Sequence, residues 1–132
     1  MPIRDLRGLT LLAHSLAHEI SEYTLDLERQ LGRQRYYGSQ IADAGITVLA
    51  HVACAASLIP PYDLQSRFEL RASLRGAIQT LDHLRDLLRH TAHTGDIAPD
   101  LHDRIGARIE ELMAVVRALS LECDREYHLG VA

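Results

Sequence analysis

Residues 44–62 read AGITVLAHVACAASLIPPY, nineteen positions without a formal charge. Length alone admits a membrane span. Composition points elsewhere: the stretch is rich in alanine, carries His51 near its middle and ends on Pro60-Pro61. Three other segments offer amphipathic faces that need a partner, so this one is expected to be a bundle helix, with no membrane involved. A helix that is apolar all round has to be covered all round. A monomeric bundle covers only one side of each helix. The uncharged helix is therefore expected to meet its own core on one side and a second copy of the chain on the other. The expected contact set is Ala44, Gly45, Val48, Leu49, Val52, Ala53 and Ala56, small or medium residues that let another backbone come close.

Heptad-like spacing runs outward from this stretch in both directions. Leu6, Leu9, Ala13, Leu16, Ile20, Tyr23 and Leu27 step by three and four, as do Ile41, Ala44, Val48, His51, Ala55 and Leu58. Leu70, Leu74, Ala77, Leu81, Leu84 and Leu88 form a third set; Leu101, Ile105, Ile109, Leu112, Val116, Leu119 and Cys123 form a fourth. Each set falls on one helix face, and no segment alternates with period two. The punctuation agrees. Gly32 to Gly38 reads as a connection with Ser39 as an N-cap, and Pro60-Pro61 as a stop. Ser66 and Glu69 read as a capping box, Gly95 as a left-handed stop, and Pro99 as a first-turn proline. The expected helices span about 4–31, 39–59, 66–93 and 99–127. Short connections make neighbours antiparallel, giving an all-α, up-down-up-down four-helix bundle as a single domain over 1–132.

Composition narrows the function. The 132 residues carry 14 basic side chains, all arginine, against 18 acids, a net charge of −4. A generic strongly basic nucleic-acid binder is disfavoured. Without lysine there is no Schiff base, no Walker-type phosphate loop and no serine–lysine dyad. Cys54 and Cys123 lie in apolar helical stretches with no CxxC or Cys/His spacing, and read as two reduced core thiols of a cytoplasmic protein. Arg4 and Arg7 precede only a short apolar run, Leu9–Ala13, which His14 and His18 then interrupt, so no targeting segment is read there.

Eight histidines invite a search for metal. His14, His18 and Glu22 share one helix face and could form a surface ladder. That face is offset from the apolar stripe, so solvated or interface roles are preferred and no metal site is assigned. His51 reads as a core or interface imidazole, and His90 and His93 as helix-end residues suited to the dipole. No histidine follows an acid by three positions, which rejects a di-iron bundle. There is no GxSxG and no haem motif. The chain is expected to be non-enzymatic, with no catalytic residue and no cofactor.

Charge is uneven along the chain. Residues 36–62 hold a single acid, Asp43, while residues 95–132 hold 8 acids and 4 arginines. The third helix bears Arg67, Arg71, Arg75, Arg85 and Arg89, which could track phosphates. The competing expectation is pairing with the acids of the fourth helix, such as Asp100, Asp103, Glu110 and Glu111.

Tyr37-Gly38-Ser39-Gln40-Ile41, followed by Ala44, Ile46 and Val48, resembles the Y-G-(L-T)-S-Q-I-R-R-A-A-x-S-I signature of a bacterial four-helix-bundle family. Its members are encoded within intervening sequences of large-subunit ribosomal RNA genes. They include the accessory variability protein of diversity-generating retroelements. Leu74-Arg75-Gly76-Ala77-Ile78 with Leu81 resembles the family's A-x-G-S-L-x-E-L, and Thr94-Gly95-Asp96-Ile97 its G-Y-(I/L) turn. The resemblance implies a small cytosolic bundle that closes into a homo-oligomeric ring, typically of five subunits. In the retroelement branch it also implies a basic surface for nucleic acid and a reverse transcriptase. The family's Arg-Arg pair is Ala42-Asp43 here, and its N-I-A-E-G is His51-Val52-Ala53-Cys54-Ala55. The sequence therefore leads first to a self-assembling interaction scaffold and second to a nucleic-acid-binding accessory protein.

Overall fold

A computed structural model describes residues 5–31, 35–93 and 99–130. Four helices and no strands are found among them: α1 (Leu6–Gln30), α2 (Arg35–Ser57), α3 (Leu64–His93) and α4 (Pro99–Tyr127). Asp5 caps α1, its Oδ1 accepting from the Gly8 N–H at 2.7 Å. Asp63 caps α3 in the same way, accepting from the Ser66 N–H at 2.7 Å. That displaces the expected Ser66/Glu69 box: with an acid available three residues earlier, the helix begins at Leu64 and Ser66 is buried in its first turn. The N-terminus of α4 falls at Pro99, as expected. His128, at φ 55°, follows its C-terminus, and Gly130 N–H donates to Asp124 Oδ1 at 2.7 Å. The expected stop at Gly95 and the 94–97 turn lie outside the described residues.

The start of α2 departs most from expectation. Gly38 and Ser39 stand inside the helix, which begins at Arg35. Gly38 has a packing reason instead: a Cβ there would lie 3.4 Å from the Glu28 Cα and 3.6 Å from the Leu31 Cβ. The missing side chain thus lets α2 approach the end of α1, rather than breaking the helix.

Among the described residues, backbone contacts join α1 to α2, α2 to α3, α3 to α4 and α1 to α4, and neither diagonal pair touches. Burial follows the three-and-four spacing. All six expected positions of α3 are buried, as are Ile105, Ile109, Leu112, Val116, Leu119 and Cys123 of α4. In α1, Leu9, Ala13, Leu16, Ile20 and Leu27 join the same core, with Leu6 and Tyr23 packed at its edge. Two helical glycines set the spacing of the α2 seams. Gly45 sits directly on Thr24 of α1, whose Cβ would be 3.0 Å from an added methyl. Gly76 of α3 receives the imidazole of His51, whose Nε2 would be 2.7 Å from an added Cβ. His51 is thus half-buried in the α2–α3 seam and not part of the central core.

Candidate functional site

Two faces hold the residues singled out from sequence. The first is α2. Of the seven expected contact residues, Ala44, Gly45, Val48 and Val52 are buried against the chain's own helices. The expectation is corrected for those four: they are packed against the chain's own helices and are not on its surface. Leu49 and Ala56 are half-buried at the seam, and Ala53 points outward. The true outer stripe is Asp43, Ile46, Thr47, Ala50, Ala53, Cys54 and Ser57, all exposed. Ile46 is half exposed, at 50%. Asp43 is its only charge. Tyr37–Ser57 remains long and apolar enough to cross a membrane by length and composition, with 39% of its most apolar window buried in the chain.

Helix α1 exposes Leu11, Leu12 and Leu25. His14 and His18 stand edge to face, their centroids 5.9 Å apart, and His18 Nδ1 lies 3.7 Å from Glu22. Among the described residues no group of three or more His, Cys, Asp or Glu side chains is arranged to hold a metal ion. The expectation of two core thiols is corrected for Cys54, which lies on the outer side of α2 while its neighbour Ala55 takes the core position. Cys54 is exposed, whereas Cys123 is buried, and burial, followed by the charge of Glu122, pushes its thiol up to about 11.

The second face is that of the α3 arginines, and the structure divides them. Arg85 donates to Glu110 of α4 at 2.7 Å and to Asp82 at 2.6 Å. The Glu110 hydrogen bond is the largest of the causes that raise its pKa, and desolvation works against it. Arg89 stands 3.6 Å from Asp86. Arg67, Arg71 and Arg75 have no carboxylate within 4.0 Å among the described residues, and Arg71 Nε is buried without an acceptor. Among the described residues, the expected cross-helix pairing thus holds for Arg85 and not for the other four. Glu111 is engaged by Arg108 of its own helix, which also reaches Glu19 of α1 at 3.0 Å.

Of Arg67, Arg71 and Arg75, the last two border surface grooves. Between α2 and α3, His51, Phe68, Arg71, Arg75 and Gln79 line an opening of about 530 Å³. Between α3 and α4, Leu74, Arg75, Ile78, Arg117 and Leu121 line one of about 510 Å³. Arg75 and Gln79 stand on the ridge between them. Arg117 escaped the sequence reading because it is isolated on the acid-rich helix. Only the register of α4 against α3 brings it to Arg75.

No family model matches this chain, and neither a curated protein nor a solved structure is significantly similar to it.

Proposed function

We propose that this chain is a non-enzymatic cytoplasmic protein whose copies assemble into a closed homo-oligomeric ring and serve as an interaction scaffold. The observation that carries the reading is the outer stripe of α2. Ile46, Ala50 and Ala53 leave a small-residue apolar face with no cationic group, and a face of that kind is stabilised when another protein surface covers it. Exposed Leu11, Leu12 and Leu25 on the adjoining helix add to the apolar surface. Five subunits is what the family resemblance implies. An up-down-up-down course is part of the proposal. It is supported by Tyr37 near the start of α2 lying against His90 near the end of α3, and by Gly38 lying against Glu28 while Gly45 lies against Thr24. Helix α2 is read as a subunit contact and not as a membrane span, because its inner face is already packed against α1 and α3.

Ile46→Glu tests the contact. The variant leaves the core untouched and should sediment as a smaller species than the wild type. Unchanged assembly would remove α2 from the interface.

Arg67, Arg71 and Arg75 favour a second reading, an accessory protein that binds nucleic acid and a reverse transcriptase. Their guanidinium groups have no carboxylate partner among the described residues, and Phe68, 56% exposed, lines a groove with two of them. A complex of that kind weakens steeply with salt because bound phosphates release counterions. Structured RNA that fails to bind even at low salt dismisses it. Arg85 and Arg89 contribute little under this reading, being engaged by carboxylates already.

A further inference from the structure

We propose that the seam between α3 and α4 is a docking groove for an acidic amphipathic helix of a partner protein. The floor is aliphatic: Leu74 is buried, Ile78 is half-buried, and Leu121 stands 65% exposed on α4. The outer side of this seam is open, with the groove of about 510 Å³. Helix-in-groove recognition uses such a floor for side chains spaced i, i+3 or i+4, and i+7.

The rim supplies the charge preference. Arg75 and Arg117 face the groove from opposite helices, and neither has a carboxylate within 4.0 Å among the described residues. Three other arginines of the same helices are engaged by carboxylates, Arg85 by Glu110 and Asp82, Arg108 by Glu19 and Glu111, and Arg125 by Glu122, whereas Arg67, Arg71 and Arg104 line no part of this groove. The guanidinium groups of Arg75 and Arg117 are the ones that line this groove, and they flank the apolar floor. Each can take a carboxylate in two parallel hydrogen bonds. Gln79 adds an amide with no hydrogen-bond partner among the described residues, while Ser120 donates to the Val116 carbonyl at 2.8 Å. An occupant that satisfies both floor and rim has aliphatic residues on one face and Asp or Glu beside them. Nucleic acid fits less well, because three aliphatic side chains offer nothing to a phosphate and the exposed aromatic, Phe68, lines the other groove.

This inference names a partner chemistry for the scaffold role proposed above, but it uses a different face from the α2 stripe. The two can therefore fail separately. The test is selection from a phage-displayed library of random 16-residue peptides against the full chain, with counter-selection against Leu121→Glu and Arg75→Glu/Arg117→Glu. All three residues are outside the core, so circular dichroism should report unchanged helix content, and Arg117→Glu alone serves if the double variant does not fold. Enriched peptides should be anionic with aliphatic residues at helical spacing, and should lose about tenfold or more in affinity on either groove variant. Ile46→Glu should leave their binding unchanged while lowering the assembly mass. No enrichment, cationic peptides, or binding that survives Leu121→Glu would overturn the proposal. So would a fall in assembly mass on Leu121→Glu, which would place a second copy in the groove. The proposal is equally overturned if a twenty-nucleotide polyuridylate binds through the two arginines with Leu121 irrelevant and no peptide is enriched.

Discussion

Gly45 carries more of the α1–α2 packing than its lack of side chain suggests. A methyl group there runs into Thr24, which is fully buried and whose hydroxyl donates to the Ser21 carbonyl at 2.8 Å. Overpacking of this kind costs about 1–3 kcal/mol, so Gly45→Ala should lower stability by that amount in urea denaturation. Adding Thr24→Ala should restore part of it, because the two positions share one space. Gly76→Ala should cost less, since its neighbour His51 is half-exposed and can swing toward solvent. Equal losses at the two glycines would contradict this packing account. The cysteines give a second residue-scale expectation. A thiol raised to about 11 stays protonated at neutral pH, so Cys123 should not react with a thiol reagent in the folded chain. Cys54 should react in dilute protein and become protected as copies assemble over the outer face of α2. Two fast-reacting thiols in the folded protein would contradict the burial of Cys123.

Among the elements, α3 owes its start to one acid. The hydrogen bonds from Ser66 hold Asp63 below its ordinary value of 3.8. A lowered folded pKa means that the stabilisation is fully present above the unfolded pKa and is lost as pH falls through the folded one. Asp63→Ala should therefore be destabilised at pH 7, with the difference from wild type shrinking below pH 3.8. A gap that stays constant down to pH 2 would rule out the carboxylate as its source. The sequence disclosed Leu70 to Leu88 as one face because charged and polar residues fill the other side of α3, so the period stands out. It could not orient α2 in the same way. Where Ala44, Val48 and Val52 alternate with Ile46, Ala50 and Ala53, both faces look apolar, and only contact with α1 and α3 separates inside from outside. Gly38 misled for a related reason: a glycine that serves close packing is indistinguishable in sequence from one that ends a helix. The pairing of Arg85 with Glu110 was legible as a type of contact, while the meeting of Arg75 and Arg117 across a groove depends on helix register.

For the whole molecule, the uneven charge of the sequence becomes a division of faces. Of the α4 acids, Glu110 is taken up by Arg85 across the α3 seam and Glu111 by Arg108 of α4 itself, which also reaches Glu19 of α1. Arginines without a carboxylate partner among the described residues remain beside the grooves that flank α3, and the outer side of α2 is nearly without charge. A net charge of −4 is therefore compatible with a local cationic rim. Assembly through α2 would leave the α3–α4 groove on each copy available to a partner, so a ring would present it several times and raise avidity without any new contact. The claim on which this picture rests is that one copy of the chain covers another. Light scattering on the purified wild-type chain at micromolar concentration tests it most directly. The account expects a discrete mass that is a whole multiple of 14.8 kDa, five-fold for the ring. A mass of 14.8 kDa across the micromolar range would contradict it.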